Sequence, residues 1–244
     1  MLYSIKKVHL IGIGGIGMSG IAELLKNKEF IVSGSDIADS PNVKRLKDLG
    51  VNISIGHNKN NISNAELVIY SDAIPKNNVE LIEALSKKIL VYSRARMISE
   101  IAKLNNSTIA ISGTHGKTTT TSMIGTVLKA VNLDPTIIVG GVVKSLESNS
   151  VLGSGDTFIV EADEYNKSLL HLSPTIAVIN NIDFEHIECY KDLDDLKHTF
   201  IQFANSIPFY GNVCVCKDSS NVASILSKID KPIMTYGIES ENID

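Results

Sequence analysis

The chain has 244 residues, 43% of them hydrophobic and 20% charged, with a net charge of −4. That length allows one large or two ordinary domains with ample core, and the acidic balance offers no basic surface to nucleic acid or anionic lipid. The apolar runs are strand-sized and interrupted by glycines, which leaves no stretch for a transmembrane helix. The first residues, Met1 to Lys7, run into a strand pattern without a signal-peptide core.

In chain order, the first half predicts strand Val8–Ile11, a glycine turn, helix Ser19–Lys26, strand Ile31–Ser35 and a helix around Val43–Asp48. Strand Leu67–Ser71 follows; Pro75 then opens a helix near Asn78–Ser86, ahead of strand Leu90–Tyr92 and helix Arg94–Lys103. The polar patch Asn105-Asn106-Ser107 marks a boundary, giving a first domain over 1–106 and a second over 107–244. The second half predicts strand Thr108–Ser112, helix Thr118–Ala130, strand Thr136–Gly140 and a Gly/Ser-rich connector through Ser154. Strands Thr157–Glu161 and Thr175–Asn180, helix Leu193–Asn205, strand Asn212–Cys216, helix Asn221–Lys228 and strand Ile233–Tyr236 complete the pattern. Strand alternating with helix predicts parallel α/β sheets in both halves. Cys214 and Cys216 share one side of a predicted strand, and with Cys189 they form no Cys-x-x-Cys pair, so a thiol pair in a reducing cytoplasm is expected rather than a metal site.

Two turns carry the chemistry. Gly113-Thr114-His115-Gly116-Lys117-Thr118-Thr119 joins a strand to a helix, the order a polyphosphate needs. Backbone amides and a helix N-terminus face the anion, a lysine reaches the outer phosphates and a hydroxyl serves Mg²⁺. The general P-loop has a glycine where Ile111 stands, so this loop is a shorter variant. Gly12-Ile13-Gly14-Gly15-Ile16-Gly17 also follows a strand and precedes a helix, and Asp36 closes the next strand. This is a cradle for a ligand with ribose and diphosphate, and a UDP-sugar fits it as well as NAD does. Two strand ends deliver Glu161-Ala162-Asp163-Glu164 and Asn181-Ile182-Asp183-Phe184-Glu185-His186 to the second sheet's carboxyl edge. One or two carboxylates beside phosphates suffice for Mg²⁺, and Glu161 is well placed. The other acidic residues also read as a solvated turn, and His186 and His57 as ordinary loop histidines.

The strings Gly12 to Glu23, Gly34-Ser35-Asp36, Arg94-Ala95-Arg96-Met97, Gly113 to Thr120, Glu161 to Glu164 and Asn181 to His186 together resemble the Mur ligase family over essentially the whole chain. The resemblance implies a Rossmann-like UDP-sugar domain, a P-loop-type central ATPase domain that is incomplete here, and a C-terminal domain that this chain lacks. It implies ATP and Mg²⁺ as cofactors, UDP-N-acetylmuramate and L-alanine as substrates, and ATP-dependent ligation through an acyl phosphate in cytoplasmic peptidoglycan precursor synthesis. By the same resemblance, Lys117 holds the outer phosphates, Thr118 and Glu161 ligate the first Mg²⁺, and His186 supports a second metal. Lys117, Glu161 and His186 are then the catalytic set. Gly14, Gly15, Gly17, Ser19, Asp36 and His57 face the UDP moiety. Asn166 and Glu185 stand where relatives carry aspartates, which puts a charge-dependent role of the Asn166 loop in doubt. The shortened length predicts nucleotide binding with little or no turnover by this chain alone. Two alternatives stand beside this reading, a non-catalytic nucleotide-binding remnant and a recycling ligase that joins a tripeptide to the same sugar nucleotide.

Overall fold

The computed structural model describes residues 5–143, 148–185, 188–240 and 243, with side chains described outside 140–149. The chain divides into two units, Met1–Ile98 and Ser99–Asp244. In the first, β1 (Lys7–Ile11), α1 (Ile16–Asn27), β2 (Ile31–Asp36), α2 (Pro41–Asp48), β3 (Asn52–Ile55), β4 (Leu67–Tyr70), α3 (Val79–Ser86) and β5 (Leu90–Ser93) follow in order, and α4 (Arg94–Ala102) spans the division. The second holds β6 (Ser107–Ser112), α5 (Lys117–Ala130), β7 (Thr136–Val143), β8 (Ser148–Val151), β9 (Thr157–Glu161), β10 (Ile176–Ile179), α6 (Leu193–Asn205), β11 (Asn212–Cys216), α7 (Ser220–Ala223) and β12 (Ile233–Tyr236).

Among the described residues the first unit forms a five-stranded sheet in the order β3-β2-β1-β4-β5, all parallel. Val8, Leu10 and Ile11 of the central strand are each at most 1% exposed, as expected of a parallel strand covered on both faces. Caps fix the helix starts. Ser40 accepts from Val43 N–H ahead of Pro41, and Asn78 accepts from the amides of Glu80 and Leu81. A core of Ile11, Ile62, Val68, Leu81 and Ala84 packs α3 against the sheet.

The second unit forms a seven-stranded sheet in the order β12-β11-β10-β6-β9-β7-β8. Its core gathers Ile111, Ile137, Val139, Ile159 and Val178, with Ile124 and Leu128 of α5 packed on them. Two expectations are corrected here. The Gly/Ser connector contains β8, which runs antiparallel to β7 and gives the otherwise parallel sheet one reversed edge. The helix expected over Asn221–Lys228 is a single turn, α7, followed by a 3-10 turn at Leu226–Lys228. Ser224 Oγ donates to Asn221 O, a local side-chain bond that competes with helix propagation. The edge strand β3 has no counterpart among the predicted elements. Cys214 and Cys216 are half-buried free thiols, and burial raises the Cys214 pKa above its ordinary value. Among the described residues no helix is long and apolar enough to cross a membrane.

Candidate functional site

In the first unit β1 lies between β2 and β4, so the chain leaves it where the strand order reverses, the position at which open parallel sheets hold ligands. The amides of Gly12 and Ile13 donate to Ser35 O at 2.8 and 3.1 Å. Gly14 N–H donates to Asp36 Oδ2 at 2.8 Å, and Ala38 N–H donates to Asp36 Oδ1 at 3.1 Å. A Cβ on Gly14 would lie 2.7 Å from Val43 Cγ2 and 2.9 Å from both Asp36 Oδ2 and Ser40 Oγ, so those side chains would have to move to admit one. Gly15 is the N-cap of α1, and its carbonyl accepts from the amides of Met18 and Ser19 at 3.1 and 2.9 Å. A Cβ on Gly17 would meet Arg94 Nη1 at 3.1 Å, so that guanidinium lies across the helix start. Ser19 is fully buried, and its hydroxyl donates to Ile16 O at 2.9 Å within its own helix. His57 Nδ1 sits 3.1 Å from Ser35 Oγ and 3.6 Å from Glu80 Oε1.

In the second unit parallel strands β9, β6 and β10 are neighbours, so Gly113–Lys117, Glu161–Glu164 and Asn180–Glu185 emerge at one carboxyl edge. Gly113 (φ +138°) and Gly116 (φ +77°) occupy backbone regions that favour glycine, and Gly116 caps α5. A Cβ on Gly113 would lie 3.1 Å from Asn180 Cβ and 3.2 Å from Asn181 N. His115 N–H donates to Asn181 Oδ1 at 2.8 Å, and Asn181 Nδ2 donates to His115 O at 3.2 Å. Thr114 Oγ1 accepts from Asp183 N–H at 2.9 Å and donates to Asp183 O at 3.1 Å. The exposed His115 ring lies 3.7 Å from Asp183 and 3.6 Å from Glu185.

Lys117 Nζ donates to Gly113 O at 2.7 Å, Thr114 O at 3.3 Å and Glu164 Oε2 at 2.7 Å. Glu164 is 1% exposed. Burial raises its carboxyl pKa above the ordinary value, and the Lys117 ammonium opposes that rise only in part. Thr118 and Glu161 sit at the same edge, and their oxygens have the hard-donor chemistry that Mg²⁺ takes alongside phosphate. Among the described residues no group of three or more His, Cys, Asp or Glu side chains could hold a metal by itself. His186 lies outside the described residues. Asn166 and Lys167 both adopt positive φ (53° and 55°), and Lys167 Nζ donates to Asp195 at 2.9 Å.

Two carboxylates of the site are not marked by the sequence pattern. Glu164 reads there as one member of an acidic turn, yet it is the direct partner of Lys117. Glu80 does not stand out at all, although it is fully buried beneath His57. A glutamate in a first helical turn looks like an ordinary helix-end charge, so no local signal distinguishes it.

Comparison with known proteins gives the same picture. Residues 7–106 match the family described as "Mur ligase family, catalytic domain" and residues 111–244 match "Mur ligase middle domain". The UDP-N-acetylmuramate–L-alanine ligase of Geotalea uraniireducens is 47% identical over 99% of this chain and 52% of its own length. That of Desulfotalea psychrophila is 48% identical over 95% and 50%. The chain thus spans about half the length of the curated relatives it matches. Among solved structures, a UDP-N-acetylmuramate-alanine ligase from Thermotoga maritima aligns with a TM-score of 0.82 at 29% identity, covering 96% of this chain and 53% of that one. The UDP-N-acetylmuramate:L-alanyl-gamma-D-glutamyl-meso-diaminopimelate ligase of Neisseria meningitides aligns with a TM-score of 0.85 at 26% identity, covering 95% and 78%. The middle-domain match alone spans more than half of the sequence, and the glycine loops lie where two parallel sheets hold ligands: the chain belongs to the Mur ligase family.

Proposed function

We propose that this chain carries the sugar-nucleotide and ATP sites of a cytoplasmic ligase that joins L-alanine to UDP-N-acetylmuramate during peptidoglycan precursor synthesis. The observation that carries the reading is the pair of glycine loops at the carboxyl edges of two different sheets, each opening a helix. Gly14, Gly15, Gly17, Asp36 and His57 take the UDP moiety, and Ser19 supports the helix start from inside. UDP-sugar binding is assigned to residues 1–106 and ATP binding to 107–244, a boundary that lies eight residues past the division between the two compact units at Ile98 and Ser99. The alanine reading is supported by the 47% identity to curated alanine ligases over nearly the whole chain; solved structures separate the two only narrowly, at 29% identity for the alanine ligase and 26% for the tripeptide ligase.

In the second unit the amides at the start of α5 and the Lys117 ammonium face the phosphates. ATP supplies the phosphoryl group that turns the lactyl carboxylate into an acyl phosphate, which the alanine amine then attacks as phosphate leaves. Acceptor and donor are both anionic, so much of the barrier is like-charge repulsion, which fixed cations and oriented amides offset. Thr118 and Glu161 would hold Mg²⁺, and His186 would support a second ion; the metal supplies further positive charge beside the transferred group. Gly113, Thr114, His115, Gly116 and Thr119 complete the ATP loop.

Calorimetric titration with UDP-N-acetylmuramate, and separately with Mg-ATP, tests the reading. Each should bind with one-to-one stoichiometry, and neither should compete with the other. Failure of both to bind would refute it. With the sugar nucleotide present, ATP-dependent phosphate release by the full-length ligase that responds to tripeptide and not to L-alanine would overturn the alanine assignment.

A further inference from the structure

We propose that Glu80 is a positioning residue for the sugar-nucleotide site: it fixes the His57 imidazole as the Nδ1–H tautomer, so that Nε2 offers a lone pair to a hydroxyl or N–H donor of the nucleoside. The proposal rests on the reading of the first unit as a site for a ribose- and diphosphate-bearing ligand.

The number of protons available to these groups sets the tautomer. Glu80 is fully buried. Its Oε2 accepts from Ser35 Oγ at 2.6 Å and lies 3.4 Å from His9 Nε2. Its Oε1 accepts from Asn61 Nδ2 at 2.6 Å and from Asn58 N–H at 3.1 Å. An ionised carboxylate only accepts, and a serine hydroxyl has one proton to give. The Ser35 proton is therefore committed to Glu80, and Ser35 Oγ can only accept from the ring nitrogen 3.1 Å away, His57 Nδ1. Nδ1 carries the hydrogen, and in a neutral imidazole Nε2 is then the acceptor. The ring is 18% exposed, with its Nδ1 edge turned inward onto Ser35 and Glu80.

The carboxylate is ionised as the count requires. Burial alone would raise its pKa, but hydrogen bonds from His9, Ser35, Asn61 and Asn58 outweigh burial and hold it at about 2. The network also ties the histidine to the glycine loop. Ser35 uses its carbonyl to accept from Gly12 and Ile13 and its hydroxyl to link Glu80 with His57. Gly56 N–H donates to Asp36 O at 2.7 Å, while Asn61 Nδ2 donates to both Gly56 O and Glu80. One buried charge therefore sets both the position and the proton state of the side chain beside Asp36.

The test combines long-range ¹H–¹⁵N NMR of the histidine rings with calorimetry, using UDP as probe. In the wild-type chain, at a pH where the imidazole is neutral, His57 should show a protonated Nδ1 and an unprotonated Nε2, and UDP should move the Nε2 resonance. In Glu80→Gln the side-chain amide can itself donate, so Ser35 can reorient and the tautomer preference should be lost. UDP affinity should then fall about tenfold, the scale of one net hydrogen bond, with Mg-ATP affinity unchanged. Wild-type chain that binds UDP with His57 as the Nε2–H tautomer overturns the inference and leaves the reading of the site standing. Wild-type chain that binds no UDP overturns that reading, and the role given to Nε2 with it. The wild-type spectrum needs no variant, so misfolding of Glu80→Gln would not rescue the proposal.

Discussion

Replacing Lys117 by methionine keeps most of the side-chain volume and removes the ammonium that compensates a buried carboxylate. Breaking a buried ion pair on one side costs about 3–5 kcal/mol when the remaining charge must stay charged. Glu164 has an escape, because it can take up a proton. At about 1.4 kcal/mol per pH unit above an intrinsic value of 4.5 or higher, protonation near pH 7 costs no more than about 3.5 kcal/mol. Lys117 is 17% exposed, so water already screens part of the pair and the expected loss is about 2–3 kcal/mol. The sign follows from the raised carboxyl: protonation favours the folded state, so the penalty is largest at neutral pH and falls below about 1 kcal/mol near pH 5. Glu164→Gln added to Lys117→Met removes the stranded charge and should restore about 2 kcal/mol near neutrality, because the lost bonds to Gly113 O and Thr114 O are common to both variants. The chain has no tryptophan, so urea unfolding followed by far-UV circular dichroism at the two pH values is the assay. A double variant no more stable than Lys117→Met, or a loss independent of pH, would refute the buried-charge argument. Both variants should lose ATP affinity by at least about tenfold, as expected for a charge-assisted bond to phosphate, and keep UDP affinity.

Two further outcomes are expected. Gly14→Ala should weaken UDP binding strongly and cost about 1–3 kcal/mol in stability from overpacking, because its Cβ would press on Val43, Asp36 and Ser40; Mg-ATP titration of the same variant should match wild type. Glu80, held at about 2 against an ordinary 4.5, contributes stability that is fully present above pH 4.5 and lost as pH falls toward 2. At about 1.4 kcal/mol per pKa unit this amounts to about 3 kcal/mol, and acid-titration stability curves of wild type and Glu80→Gln should converge across that window.

The central strands are legible in the sequence because the buried middles of β6, β9 and β10 read as short apolar runs, and β1 does so apart from His9. The edges are not. β3 reads Asn-Ile-Ser-Ile, and two of its residues are exposed; β8 reads Ser-Asn-Ser-Val inside a Gly/Ser stretch. An edge strand is held by one ladder rather than two, so its composition need not announce it. The glycine loops are legible for the opposite reason. A positive φ at Gly113 is a backbone demand that glycine meets, and at Gly14 a Cβ would crowd three neighbouring side chains. Buried carboxylates make no such demand locally. Glu80 is tolerated because donors arrive from His9, Ser35, Asn61 and Asn58, and Lys117 finds Glu164 from 47 positions away. The sequence holds these partners but not their meeting.

The short phosphate loop follows from the same tertiary dependence. Gly113 packs against the chain just after β10, where a Cβ would lie 3.1 Å from Asn180 Cβ. Asn181 closes the turn from outside, using both ends of its amide on His115, while the backbone of Asp183 brackets the Thr114 hydroxyl. The His115 amide is thereby committed to protein. The amides of Lys117, Thr118 and Thr119 begin α5 and have no intrahelical acceptor, which leaves them directed at an anion. The cradle is therefore a product of two strands: β6 supplies the turn and the helix dipole, and the chain after β10 supplies the brace. On the proposed reading, that division accounts for a phosphate site without the first P-loop glycine, and it assigns the Asn180–Asp183 stretch to the nucleotide site along with Gly116-Lys117-Thr118.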